Sequence, residues 1–429
     1  MTDVQVASTP KHASIADTAR VAATVLAPVI ARGVIVRRPR LTGLLARTGA
    51  DRRAMRTLRR IRERYGPGPV RLRIPARPLT LVLDADEARR VLEQAPAPFS
   101  PANREKIGAL AHFQPEGVLI SRGRARDARR AFNERALDTS APVHHLAGPI
   151  LASVSELGGA LRERDPLVWR GFAREWWRAV RTITLGPAAR DDTWVTDSLR
   201  TLRRAGNWSY FHPTRRDLRE RFLQRVRDYI TLGHPDSLAG TAARADVATA
   251  PEHQIAHWLF AWDAAGMAVF RTLALLATHP AALARARADQ RPLLPYLRAC
   301  VLESLRLWPT TPLILRDTTA DLWWGDEIVP EHTPVLIHAA FLHRDPTALD
   351  YADTFAPDVW LDGRAERHGG IVPFSGGPAR CPAENLVLLT TSHLLAELIT
   401  GDPRLTGGRL DPERPMPALL SPFGLRFSR

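Results

Sequence analysis

Apolar positions recur every three or four residues through most of the chain and alternate in only two short clusters, so the pattern is mainly helical. Residues 1 to about 65 read as arginine-rich helix. Gly66-Pro67-Gly68-Pro69 then breaks the run. Prolines carry no amide donor and a strand pattern follows, so a turn is expected here and not a phosphate loop. Val70-Arg71-Leu72-Arg73-Ile74 alternates as a strand, Leu79 to Leu83 forms a second strand after the turn at Pro75 to Pro78, and Asp84 or Asp86 caps a helix running to Leu92. Residues 96–121 hold no sustained period and are expected to form a long irregular loop, a kind of segment that usually carries function in a compact domain.

From Arg124 to about Gly401 the helical period dominates, with segments at 125–137, 168–186, 193–204, 216–232, 252–278, 281–287 and 293–308. The break at 205–215 carries Trp208, Tyr210 and Phe211, which either line a substrate entrance or anchor the loop. Short strands return over 313–341, punctuated by Gly325-Asp326 and Pro330. An irregular stretch from His343 to Pro373 and a final helix from Glu384 to Thr400 follow, then Gly401-Asp402-Pro403 and a loose tail. No internal repeat is visible. The expected fold is mainly α (α+β): residues 65–429 form one large helical domain with small β-sheets, and residues 1–64 form a helical extension packed on it.

With 429 residues, 45% of them hydrophobic, the chain can bury a large core. The net charge of +15 comes almost wholly from arginine, since Lys11 and Lys106 are the only lysines. GC-rich bacterial coding and a basic docking face for an acidic partner both account for this. Acids are interleaved with the arginines, as in Arg162-Glu163-Arg164-Asp165, which argues against nucleic acid as a partner. Two cysteines, Cys300 and Cys381, exclude a disulfide framework and a paired-cysteine zinc site, and fit a reducing cytoplasm. No secretory signal is visible, and the apolar run Val21 to Val36 is interrupted by Pro28 and Arg32 and is short for a membrane span. It is expected to pack on the domain, with a peripheral membrane contact as the alternative.

Candidate chemistry centres on Phe374-Ser375-Gly376-Gly377-Pro378-Ala379-Arg380-Cys381-Pro382-Ala383. A cysteine after a glycine-containing loop and just before a helix sits where a thiolate is favoured by the helix N-terminus. Pro382 suits the first helical position, Gly376 and Gly377 allow close backbone approach to a flat ligand, and Phe374 can shield the sulfur. Upstream, Glu303-Ser304-Leu305-Arg306 places an acid and a base on one helix face.

Together these stretches resemble the cytochrome P-450 family. Phe374, Gly377 and Cys381 match its haem-ligand loop, with Ala383 where a glycine is usual. Glu303 and Arg306 match its core Glu-x-x-Arg helix. The resemblance implies the triangular, mostly α haem-thiolate fold and haem b, with its iron ligated by the Cys381 thiolate. It also implies that Arg316 and Arg126 reach haem propionates. The propionate partner usual two residues before the cysteine is Ala379 here, with Arg380 beside it as a substitute. The usual Pro-x-Arg third partner of the Glu-Arg pair is Val359, in Pro357-Asp358-Val359-Trp360.

By the same resemblance the 252–278 helix crosses the distal face of the haem, with Asp263 as the family's acid. Ala264 stands where a threonine usually organises proton delivery, and Thr272 lies about 12 Å further along the helix. Trp262 and Ala265 are expected to face the substrate. The implied activity is dioxygen-dependent oxidation of a small organic molecule, expected to be a specialised metabolite: monooxygenation, or coupling or cyclisation given Ala264. A silent haem-binding sensor or carrier and a peroxide-driven oxygenase are the alternatives. The chain shows no flavin- or iron–sulfur-binding segment, so a separate ferredoxin and ferredoxin reductase are expected to donate electrons to a monomer.

Overall fold

The computed structural model describes residues 8–428. The fold is mainly α with small sheets. Its largest core gathers around one long helix, Pro251–Thr278, called here the central helix. Nearly all of its apolar side chains are buried, which is what a helix that is apolar on every face requires. It is long and apolar enough to cross a membrane, but it lies inside the protein. The helices Trp169–Leu185, Pro295–Leu307 and Glu384–Ile399 pack against it.

A second core lies under a six-stranded sheet. The strand order is Lys11–His12, Val70–Leu72, Leu79–Val82, Pro334–His338, Leu313–Thr318 and Phe99–Ser100. Leu81 lies opposite both Val70 and Leu336, and Ile314 lies opposite Ile337. Ala54, Leu58 and Ile61 from the helix Ala50–Tyr65 join this core, so the N-terminal segment packs on the sheet.

Several expected elements differ. The 96–121 stretch holds a helix, Arg104–Leu110, capped by Asn103, whose side chain accepts from the Lys106 amide. A helix Ala147–Arg162 lies in the part of the helical region where no separate segment was expected. The tail is ordered: Arg404–Gly407 and Arg426–Ser428 pair with each other and with Leu167–Val168 in a small sheet. Partners this distant in the chain leave no local signal. Asp84, and not Asp86, caps the helix Ala85–Glu93. The last helix begins at Glu384, so Pro382 precedes it and is not its first residue.

Candidate functional site

Cys381 sits on a loop pinned from several sides. Its amide donates to the Phe374 carbonyl at 2.9 Å, Arg130 donates to the Arg380 carbonyl at 2.7 Å, and Thr139 donates to the Pro382 carbonyl at 2.8 Å. Gly377 has φ +59°, and a Cβ there would come within 2.1 Å of the Leu92 carbonyl oxygen. The glycine is therefore needed for the close approach of the Ala85–Glu93 helix. Burial pushes the Cys381 thiol up to about 11, against the Ala383 amide, which favours the thiolate. Burial thus favours the neutral thiol in the protein alone, and a bound metal cation, the setting of the expected thiolate, would displace that proton.

A cavity of about 1350 Å³ separates this loop from the central helix. Phe374, Cys381 and Val387 line one side; Ala261, Ala264 and Ala265 line the other. A cavity this large exceeds the ~300–1,000 Å³ of most single-ligand pockets, leaving room for a cofactor and a second molecule.

Three cations converge on it, Arg126 and Arg316 buried and Lys106 half-buried. Arg316, on the strand Leu313–Thr318, donates to the Leu315 carbonyl at 3.0 Å and to Ser375 Oγ at 3.2 Å. Its Nε is buried without a partner. Arg126 donates to the Pro378 carbonyl at 3.3 Å; its nearest carboxylate is that of the exposed Asp127, at 3.5 Å. Lys106 Nζ donates to the carbonyls of Pro101 (3.0 Å) and Leu315 (2.9 Å). Burial and then neighbouring positive charge depress all three: Arg130 acts on Arg126, Arg126 on Arg316, which falls to about 10, and Arg316 on Lys106, which falls well below its ordinary value. Like charges buried together call for an anion between them. An apolar slot with a thiol on one wall and an unmet demand for carboxylates fits haem and its two propionates. Lys106 was not anticipated; its only sequence signal is that it is one of two lysines among 60 basic residues.

Arg380 does not join this group. It grips Glu384 with two hydrogen bonds, at 2.6 and 2.7 Å, with more than half of its side chain exposed. An acid four residues on in the following helix outcompetes a more distant anion.

On the central helix, Asp263 lines the cavity and is ion-paired with the buried Arg203 of the helix Thr193–Gly206. Ala264 lies beside it and offers no hydroxyl. Thr272 is turned away, donating to the Ala268 carbonyl at 2.8 Å. Trp262 and Ala265 also line the cavity. Trp262 Nε1 donates to Thr184 Oγ1 at 3.1 Å, while its carbonyl accepts from Trp176 Nε1 at 3.1 Å. Trp208, Tyr210 and Phe211 do not line the cavity and are exposed, Phe211 at 92%. Trp208 stacks under Arg38, and Tyr210 donates to the Arg104 carbonyl. These contacts anchor Trp208 and Tyr210, whereas Phe211 projects outward.

Glu303 and Arg306 are fully buried and doubly hydrogen-bonded, at 2.8 and 2.6 Å. The third partner is a neighbour of the expected position: Trp360 Nε1 donates to Glu303 Oε2 at 2.9 Å, while Val359 is buried in a small apolar cluster.

Comparison with known proteins agrees with this geometry. The family profile for cytochrome P450 matches residues 268–400, which include Glu303, Arg306, Arg316 and Cys381. The chain is 33% identical over 112 residues to cyclooctat-9-en-7-ol 5-monooxygenase of Streptomyces melanosporofaciens (26% of this chain, 24% of that protein). It is 39% identical over 92 residues to cyclooctatin synthase of the same organism (21% and 20%). It is 40% identical over 110 residues to isoflavone 2'-hydroxylase of Medicago truncatula (25% and 22%). The chain thus spans about a quarter of the length of these curated relatives. The cysteine loop, the buried Glu-Arg pair and the mainly α fold stand in one arrangement, and the matched part of the chain, residues 268–400, is similar to the cytochrome P450 family, whose cofactor is haem held by a cysteine thiolate.

Proposed function

We propose that this protein is a haem-thiolate oxidoreductase that uses dioxygen to oxidise a small organic molecule, with Cys381 as the iron ligand. The observation that carries this reading is the pairing, across one cavity, of the Cys381 loop with three cations, of which Arg316 and Lys106 have no carboxylate within ion-pair distance among the described residues and Arg126 has only the exposed Asp127. Arg126, Arg316 and Lys106 would hold the propionates, and Phe374 would cover the sulfur. Bound haem supplies iron chemistry in which the electron-rich thiolate favours cleavage of the O–O bond.

The chain's own residues position substrate and protons. Asp263 Oδ2 is held by Arg203, and Oδ1 is left to accept from a water or a substrate hydroxyl. Ala264 donates nothing, so proton delivery beside Asp263 depends on water or on a hydroxyl of the substrate. The reaction is monooxygenation, or oxidative coupling or ring closure in which a substrate hydroxyl takes the place of the missing one. The names of the Streptomyces and Medicago relatives support a specialised metabolite as substrate. Arg124, Arg135 and Arg380 are exposed around the cysteine loop and its neighbouring helix Gly123–Ala136, which suits an acidic ferredoxin supplied with electrons by its reductase.

The ferrous–CO spectrum tests the ligation: a red-shifted Soret band is expected, and Cys381→Ser should abolish it. No such band in the wild-type protein would remove the reading. Ala264→Thr tests the reaction. If it raises the share of electrons recovered in product while the product stays a simple alcohol, the coupling reading is lost. A haem-binding sensor or carrier without turnover is the second reading, favoured by the missing hydroxyl at Ala264; NADPH consumption with a surrogate ferredoxin system and substrate separates the two.

A further inference from the structure

Four guanidiniums and two carboxylates gather where the N-terminal segment meets the central helix. Arg32 pairs with Asp51 at 2.8 Å, and Arg203 pairs with Asp263. Arg37 and Arg271 have only backbone carbonyls: Arg271 donates to Leu420 and Trp308, both at 2.9 Å, and Arg37 donates to Gly33 and Thr310. The cluster thus carries two positive charges that no carboxylate meets. Arg271 faces a small recess behind the main cavity, whereas Arg37 lines both. Burial pushes Arg37 down to about 10; Arg32 and Arg203 push the same way, and Asp263 and Asp51 oppose them.

Arg37 belongs to a strap, residues 33–38, fastened over the cavity. Asn207 accepts from the amides of Ile35 (2.8 Å) and Val36 (3.0 Å) and donates to the Val36 carbonyl (2.9 Å). Arg203 also donates to the Ile35 carbonyl at 3.2 Å, and its own Nε is buried without a partner. The strap therefore fixes Arg37 beside Thr310 on the cavity wall. Two carbonyls occupy two of its five N–H donors, so three remain for a fork-like grip on a carboxylate. Further out, Arg170 and Arg204 line the same cavity from the helices Trp169–Leu185 and Thr193–Gly206. Both are exposed, and among the described residues neither has a carboxylate within ion-pair distance. A basic rim concentrates anions at a cleft.

We propose that the substrate is an organic carboxylate and that Arg37 is the residue that grips its carboxylate and so orients it in the cavity. A single accessible excess charge matches a monoanion. The proposal rests on reading the cavity as the substrate chamber of a haem oxidoreductase.

The test is calorimetric titration of the haem-loaded protein with straight-chain and aryl-alkyl carboxylic acids and with the primary alcohols of the same skeletons. The acids should bind about ten- to a hundred-fold tighter, the range of a charge-assisted hydrogen-bonded pair. Arg37→Gln should remove that preference. Should this variant not fold, as judged by its circular dichroism, Arg37→Met keeps the aliphatic stem and carries the same expectation. Arg170→Gln with Arg204→Gln should leave the preference in place and slow association at low salt. Equal binding of acids and alcohols, a preference that survives in folded Arg37→Gln or Arg37→Met, or no binding by any acid would overturn the proposal. Loss of the red-shifted ferrous–CO band would sink the haem assignment and leave the calorimetric preference standing, so the two failures are distinguishable.

Discussion

Glu303 shows how a single side chain absorbs a departure from a family pattern. Its two oxygens accept from Arg306 Nε and Nη2, from the Ala356 amide at 2.9 Å and from the Trp360 indole at 2.9 Å. Arg306 spends its remaining donors on the carbonyls of His343, Ala352, Tyr351 and Thr354. The indole is neutral, so one cation alone balances the buried carboxylate, and every other contact is a dipole. Trp360→Phe would leave ring packing intact and remove one donor to a buried anion, at a cost of about 1–3 kcal/mol. Arg306→Ala would strand that anion, at about 3–5 kcal/mol. Urea unfolding of both variants checks the order; a Trp360→Phe protein as stable as wild type would mean that the indole bond contributes nothing. The Glu-Arg pair was legible in the sequence because it is local, three residues apart on one helix. The choice of Trp360 over Val359 was not, because Asp358–Leu361 is a single helical turn whose inward face is set only by what it packs on.

Among the elements, the cysteine loop depends on the helix Ala85–Glu93, almost 300 residues earlier in the chain. Gly377 combines a left-handed φ with a backbone contact, so any side chain there must both strain the turn and push the helix away. Gly377→Ala should cost about 1–2 kcal/mol from the backbone conformation alone. It should also weaken haem retention, because the loop that carries Cys381 must shift. Haem loss to apomyoglobin, followed by absorbance, checks this; retention equal to wild type would show that the loop accommodates the methyl. Long helices were readable from their period, and the central helix came within one residue of its expected start. The short helix Arg104–Leu110 and the terminal strand pair were not readable. One is too short to show a period, and the other exists only through its partner strands.

Over the whole molecule, two buried imidazoles make stability depend on pH. His343 Nε2 accepts the Val372 amide at 2.9 Å, and His338 Nδ1 accepts the Phe341 amide at 3.0 Å, so both rings are held neutral. Burial pushes each down to about 3 from an ordinary 6.5. Unfolded, each takes up a proton near 6.5. The unfolded chain thus binds more protons between those values, and stability falls as pH drops through that window. At about pH 5 the loss is about 2 kcal/mol for each ring, above the range in which most carboxylates titrate. Thermal unfolding should therefore move to lower temperature between about pH 7 and about pH 5; a flat profile would show that these rings protonate within the fold. The same long-range packing separates what was legible from what was not. The sequence by itself determined the helical class, the cysteine loop and the Glu-Arg pair, because each is written in residues a few positions apart and follows from backbone periodicity. Only the tertiary structure decided that Lys106 joins Arg126 and Arg316, that Arg203 holds Asp263, that Arg37 reaches the cavity and that Trp208 and Phe211 do not. Those outcomes depend on burial and on charges meeting across distant segments, and no local pattern encodes either.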